Sequence, residues 1–367
     1  VGVGVLVLLL VVLVAVSLIG AWRTPGNEDF KAKWADWLRA HDAAFVVNPM
    51  EQWYYSSQAP AKGGRPKGLN HVPATTPLLH VVTGGHHLPP PTPIRLVVAP
   101  ALPGEGRWQP TGPLVTGKPG MYVAQFRADT VYTSQITTAV WIDPTRLRLD
   151  LVPGAREPGG SWPQAPYLAG TQLDRAVAAF NGGFRFEDAH GGFFADGRMA
   201  VPLHTGAASI VLYRSGRVNV GAWGRDVVMS PRVSDVLQNL VLLVDHGRLA
   251  PSATYSDTKL WGHTLGSNTV VARSGIGITA SGALLYVAGP ALTVRTLAEA
   301  LQRAGAVRAM TLDINPEWVT FNLFRHPKPT DPALVDASKL YPQMQRSSTR
   351  YLGPTAESRD FFSVLAP

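Results

Sequence analysis

The sequence predicts an α+β fold, built of mixed β-sheets with few helices and preceded by a single N-terminal transmembrane helix. Three observations carry that reading. Val1 to Gly20 is an unbroken run of Val, Leu, Ile, Ala and Gly with one Ser. Apolar segments of strand length, broken by Gly and Pro, recur from residue 94 onward. Helix signal within that region gathers in one place, between Thr293 and Gly305.

The N-terminal run continues into Ala21 and Trp22, and about 20 such residues cross the roughly 30 Å hydrocarbon layer of a bilayer. A cleaved signal peptide has a shorter apolar stretch, so residues 1–22 are expected to be a retained single-span anchor. Arg23, Lys31, Lys33 and Arg39 follow it. A large domain crosses a membrane largely regardless of such charges, and the globular part is expected on the extracytoplasmic side of a cell membrane.

Residues 23–93 read as a juxtamembrane amphipathic helix and a Pro/Gly-rich linker. Asn27 can cap a helix with Glu28 and Asp29 in its first turn and Phe30, Trp34, Trp37 and Leu38 on one face. That face suits either the membrane interface or packing on the domain. The linker holds Gly84-Gly85-His86-His87 and Pro89-Pro90-Pro91.

Residues 94–324 form the main domain. Strands are expected at Ile94–Val98, Met121–Phe126, Val131–Ile142 and Arg146–Val152. Arg214-Ser215-Gly216 and Ala280-Ser281-Gly282 each join two more as hairpins, and Asp196-Gly197 and Asp245-His246-Gly247 read as hairpin turns. Thr293 or Thr296 caps the helix ended by Gly305, and a strand over Val307–Leu312 follows. Residues 325–367, polar with isolated aromatic residues, are expected to wrap the surface.

With 367 residues, 46% of them hydrophobic, the chain has ample material for a core. It has no cysteine, which excludes cysteine nucleophiles and Cys-zinc sites and suits an exported bacterial domain as well as a cytoplasmic one. A formal charge of +8 favours anionic partners such as wall polymers and lipid head groups. No nucleic-acid motif accompanies it, and nucleic acid is not expected as a partner. His86, His87, His190, His204, His246 and His263 show no His-Glu-x-x-His spacing and lie in loops.

Three motifs carry the chemistry. Asn181-Gly182-Gly183-Phe184 is a turn that admits a ligand close to the backbone. Arg273-Ser274-Gly275-Ile276-Gly277 opens a hairpin, and Thr311-Leu312-Asp313-Ile314-Asn315 closes a strand. Taken alone, Asn181-Gly182 is an αL turn, Arg273 a surface ion-pair partner and Asp313 a loop cap.

In order, and together with Gly191-Gly192-Phe193-Phe194-Ala195-Asp196-Gly197, these motifs resemble the phosphodiester glycosidase family over roughly residues 130–324. The resemblance implies hydrolysis of the bond between a sugar's anomeric carbon and a phosphodiester oxygen. It makes Asp313 the nucleophile or the base that activates water, with Glu317 as the second carboxylate. Arg273 and the backbone near Gly182, Gly183 and Gly275 become the phosphate clamp, and Asn181 and Asn315 further substrate ligands. No cofactor is expected.

Family members commonly continue the Leu-Asp element with Gly-Gly and a Ser, where this chain has Ile314-Asn315-Pro316-Glu317. That departure motivates an alternative, a non-catalytic sugar-phosphate-binding or scaffolding subunit held with other subunits of a membrane complex. Glycosyl transfer to a sugar acceptor is a third possibility.

Overall fold

The computed structural model describes residues 2–77, 86–254, 260–261, 269–326 and 334–367; Gly84, Gly85 and His263 lie outside these described residues. Three helices open the chain, α1 (Gly2–Arg23), α2 (Phe30–Arg39) and α3 (Ala44–Ser57). Helix α1 is the expected apolar run, 22 residues long with a mean hydropathy of 3.2, and its length suffices to cross a bilayer.

Helix α2 begins two residues later than expected. Asp29, not Asn27, is its cap, accepting the Ala32 N–H at 2.8 Å. Asn27 instead donates to the Arg350 carbonyl at 3.2 Å and to the Glu357 carboxylate, tying the link between α1 and α2 to the C-terminal segment. Helix α3 was not anticipated, because Pro49 stands inside it and reads as a breaker.

The first strands are β1 (Thr76–Pro77), β2 (Gln109–Val115), β3 (Lys118–Phe126), β4 (Thr137–Ile142) and β5 (Arg148–Val152). Then come α4 (Gly170–Arg175), β6 (Ala176–Asn181), α5 (Phe186–Ala189), β7 (Phe193–Ala195) and β8 (Arg198–Val201). Strands β9 (Ala208–Tyr213), β10 (Val218–Ala222), β11 (Val233–Gln238), β12 (Leu242–Asp245) and β13 (Arg248–Leu249) follow. The chain continues with β14 (Val271–Thr279), β15 (Leu284–Leu292), α6 (Val294–Arg303) and β16 (Ala306–Ile314). It closes on β17 (Phe321–Arg325), β18 (Asp336–Lys339) and β19 (Phe361–Leu365).

Two expected strands change. Ile94–Val98 forms none, lying between Pro93 and Pro100, which cannot donate to a ladder. The strand expected from Val131 starts only at Thr137, because Asp129 folds the preceding residues into a turn by accepting the Val131 and Tyr132 N–H groups.

The strands form three sheets. A nine-stranded sheet runs β1-β2-β3-β4-β15-β14-β16-β12-β13, antiparallel except for the β1–β2 pair. Two five-stranded antiparallel sheets run β10-β9-β11-β7-β8 and β18-β17-β6-β19-β5.

Strand β15 shows why the domain holds together. Leu284, Tyr286 and Ala288 enter the core shared by the three sheets, while Leu285 and Val287 enter a second core under α6. Alternation along a strand with both faces apolar is what a central, doubly covered strand requires. Helix α6 covers that second face with Leu297, Ala298 and Leu301, and it is capped as expected, Thr293 and Thr296 forming a reciprocal capping box.

The C-terminal segment is not a surface wrap. Strand β19, Phe-Phe-Ser-Val-Leu, is buried throughout and pairs with β6 on one side and β5 on the other. Apart from the buried Ser363 it is apolar throughout, so it takes a central place between its two neighbours. In doing so it carries Arg359 and Asp360 to the C-terminal end of β6.

Candidate active site

Asp313 stands at the end of β16 beside the start of β14, and it is 4% exposed. Its N–H donates to Ser274 Oγ at 3.2 Å, which fixes the backbone. One carboxylate oxygen accepts the Ile314 N–H at 2.7 Å, and the other accepts from Arg359 Nη1 at 3.3 Å. Burial pushes its pKa up to about 7, against the pull of Arg359.

Arg359 organises the surroundings. Its guanidinium lies 3.6 Å from the centroid of the Trp318 ring and also pairs with Asp36 of α2 at 3.4 Å. Burial lowers its pKa, but the carboxylates of Asp36, Asp313 and Glu157 outweigh burial and raise it, so the charge is permanent. A fixed cation stacked on an indole, with its edge turned to a carboxylate, is a preorganised anion site.

A cavity of about 330 Å³ opens in front of Asp313. Arg39, Asn48 and Glu51 of α2 and α3 form one wall, and Arg185, Ile314, Asn315, Trp318 and Arg359 form the other. Three guanidiniums therefore border the cavity, each also held by an acid: Arg39 by Glu51, Arg185 by Asp188 at 2.8 Å, and Arg359 as above. Such a ring can hold a phosphate whose ester oxygen points toward Asp313.

The residues expected from the sequence separate into two groups. Asp313 and Asn315 line the cavity. Asn315 adopts φ +67°, a left-handed conformation that glycine adopts most easily and Asn tolerates, and its side chain caps the Glu317 and Trp318 N–H groups. Asn315 thus forms a turn in a conformation that favours glycine, while Ile314 packs partly against the core under α6.

The others are engaged inside the protein. Asn181 accepts from Tyr286, Ser274 and the Thr320 N–H and donates to Ser274 and the Gly182 carbonyl, so it locks the ends of strands from two sheets together. Arg273 is not on the surface. It is 1% exposed, and it donates to the carbonyls of Leu292 and Thr269 at 2.9 and 3.1 Å; burial lowers its pKa to about 9. Gly275 sits in mid-sheet, where a Cβ would stand 2.9 Å from Leu301 and from the Met310 carbonyl, so its role is close packing under α6.

Glu317 pairs with Arg346 and accepts the Asp29 N–H at 3.4 Å, on a wall other than that of the Asp313 cavity. A buried carboxyl that the sequence did not single out is Asp360, whose pKa burial, followed by Glu157, pushes up to about 8. Neither of its carboxylate oxygens has a hydrogen-bond partner among the described residues. A Cβ on Gly182 would stand 1.9 Å from one of them, so glycine there admits the Asp360 carboxyl. Gly183 follows against Asn239, which donates to the Leu312 carbonyl at 2.6 Å and steadies the approach to Asp313.

Arg359, Asp360 and Trp318 were not anticipated. The sequence signal for the first two is a charged pair just ahead of an apolar run, which marks any strand end. Among the described residues no group of three or more His, Asp and Glu is arranged to hold a metal ion.

No curated protein matches this chain. Among solved structures, the zebrafish N-acetylglucosamine-1-phosphodiester alpha-N-acetylglucosaminidase catalytic domain, auto-inhibited by pro-peptide, is similar at 14% identity and a TM-score of 0.46, covering 69% of this chain and 86% of that one. A hypothetical protein from Synechocystis is similar at 14% identity and a TM-score of 0.40, covering 69% and 63%. A putative exported protein from Burkholderia pseudomallei K96243 is similar at 13% identity and a TM-score of 0.33, covering 65% and 75%. The match that carries weight is to a protein-family model, that of the phosphodiester glycosidases, over residues 174–313. It runs from the end of α4 into β16, takes in the first two motifs read from the sequence and the third as far as Asp313, its last residue. Residues 174–313 are therefore similar to the phosphodiester glycosidases.

Proposed function

We propose that this protein is a membrane-anchored hydrolase that cleaves the glycosidic C–O bond of a sugar-1-phosphodiester in a bacterial cell-envelope glycan or glycolipid. The globular part lies on the extracytoplasmic side, with α1 as the anchor. The observation that carries the reading is the arrangement of Asp313, Arg359 and Trp318 at one cavity, with a buried carboxyl facing an indole-stacked guanidinium.

Arg359, flanked by Arg39 and Arg185, holds the phosphate, and Asp313 in its ionised form faces the anomeric carbon. It acts as nucleophile or as the base for a water. The C1–O bond breaks, its electron pair leaves on the phosphate oxygen, and water supplies the new oxygen at C1. A phosphomonoester leaves with a second pKa of about 6, so the step has little need of a strong proton donor. At an oxocarbenium-like transition state the carboxylate gains attraction as positive charge develops on the ring.

Turnover of a sugar-1-phosphodiester by the full chain tests this. Asp313→Asn is expected to lower kcat/KM by at least roughly a hundredfold, in line with losing a positioned nucleophile or base. Unchanged turnover would remove Asp313 from the mechanism. Binding of the phosphodiester without turnover would favour the non-catalytic alternative.

A further inference from the structure

A second and larger cavity, about 1650 Å³, lies between α1, the α2–α3 hairpin and the domain. It exceeds the roughly 300–1,000 Å³ of small-molecule sites. One side is a stripe of α1, Leu10, Leu13, Val14 and Ser17, at the i, i+3, i+4, i+7 spacing of a single helix face. The facing wall is apolar as well, with Phe45, Val46, Met50 and Trp53 of α3. At its other end stand Asn27, Arg346 and Arg350. The cavity shares Arg39, Glu51, Asn315 and Trp318 with the one in front of Asp313, so the two adjoin along these side chains.

The position of α1 relative to the site is fixed by direct contacts. Trp34 Nε1 donates to Ser17 Oγ at 3.0 Å, and Lys33 Nζ donates to the Thr24 carbonyl at 3.1 Å. A Cβ on Gly20 would stand 2.2 Å from the Trp37 indole, so glycine there lets α2 lie directly against α1. From α2, Asp36 reaches Arg359, which reaches Asp313. Helix α2 and the Arg359 guanidinium are therefore what stand between the last turns of the span and the candidate carboxylate. The α1 stripe from Ser17 to Leu10 runs a further ~10 Å along the span, toward the hydrocarbon. Phe45, Met50 and Trp53 of α3 are 77%, 61% and 73% exposed, as expected of a helix whose apolar face meets lipid.

We propose that the substrate is a lipid-linked sugar phosphate, with its sugar-1-phosphate head at Asp313 and Arg359 and its hydrocarbon tail in the α1–α3 cavity. The inference rests on the glycosidase reading for its head group and adds the tail. A lipid phosphate is the second product, released into the bilayer it came from. A water-soluble polymer would leave the α1 stripe and the α3 wall without an occupant, whereas a hydrocarbon chain covers both and stays continuous with the bilayer.

The test uses the full chain in phospholipid vesicles and two probes that share one head, a hexose 1-phosphate esterified to methanol or to a photoactivatable hexadecanol. Turnover of the hexadecyl ester is expected to exceed that of the methyl ester by about tenfold or more in kcat/KM, each buried methylene adding to binding. Met50→Glu, which sets a charge in the apolar wall, is expected to lower that ratio about tenfold, and Met50→Leu to preserve it. Equal turnover of both esters, unmoved by Met50→Glu, would overturn the tail site and leave the glycosidase reading standing.

Photolabelling provides a readout independent of turnover. Label on Leu13, Phe45 and Met50, competed by unlabelled hexadecyl ester, supports the tail site even if neither ester is cleaved, an outcome that would count against the glycosidase reading alone. Label spread along α1 without competition, as bulk lipid or an added detergent would give, overturns it.

Discussion

Arg359 connects more of the candidate site than any other side chain, since it touches Asp313, Asp36 and the Trp318 ring at once. In the proposed role Asp313 acts in its ionised form, and its pKa is raised to about 7, so kcat/KM is expected to rise with pH up to about 7 and then level off. A profile flat from pH 5 to 8 would contradict that role. Asp360 makes a separate prediction about stability. Its folded-state pKa is raised to about 8, above the ordinary value near 3.9, so the folded state keeps a proton that the unfolded chain has released. That contribution is fully present below pH ~3.9 and is lost as pH climbs through about 8. Thermal midpoints should therefore fall across this window, and Asp360→Asn should flatten the fall. An unchanged slope would mean that Asp360 does not titrate there. Asp313 was legible because a carboxylate closing an apolar strand carries a family motif, and Asn315 because it shares that strand's end. Arg273 was read as a clamp from its type and place, yet nothing in a strand's sequence tells which end of a long side chain stays inside the sheet.

Strand β19 contributes most at the level of elements. It pairs along its length with β5 and β6, and the two residues ahead of it are Arg359 and Asp360. Deleting residues 361–367 should therefore abolish cooperative folding instead of trimming a tail, seen as loss of the thermal transition and of soluble expression of the domain. A truncated chain that melts like the parent would contradict this. The hairpins around Arg214-Ser215-Gly216 and Ala280-Ser281-Gly282 and helix α6 were readable because turn chemistry and capping are local. The place of β19 was not, since β6 lies more than a hundred and seventy residues away in sequence and the strand's own four apolar residues, split by Ser363, make a short signal. Helix α3 escaped for the opposite reason, a local signal at Pro49 that the packing of its neighbours overrides.

For the molecule as a whole, the fold class was legible from composition and pattern: one apolar helix, sheets of short strands, one well-capped helix in the domain. What pattern alone does not give is the proximity of α1 to the site, which comes from Trp34 and Trp37 packing on Ser17 and Gly20 and from Asp36 reaching Arg359. The central claim is that this chain breaks the bond on the sugar side of a phosphodiester. Hydrolysis in ¹⁸O-labelled water by the full chain in vesicles tests it most directly. The account predicts the label at the anomeric hydroxyl of the released sugar, none in the phosphomonoester, and no release by Asp313→Asn. Label in the phosphate would show cleavage of the P–O bond and contradict it.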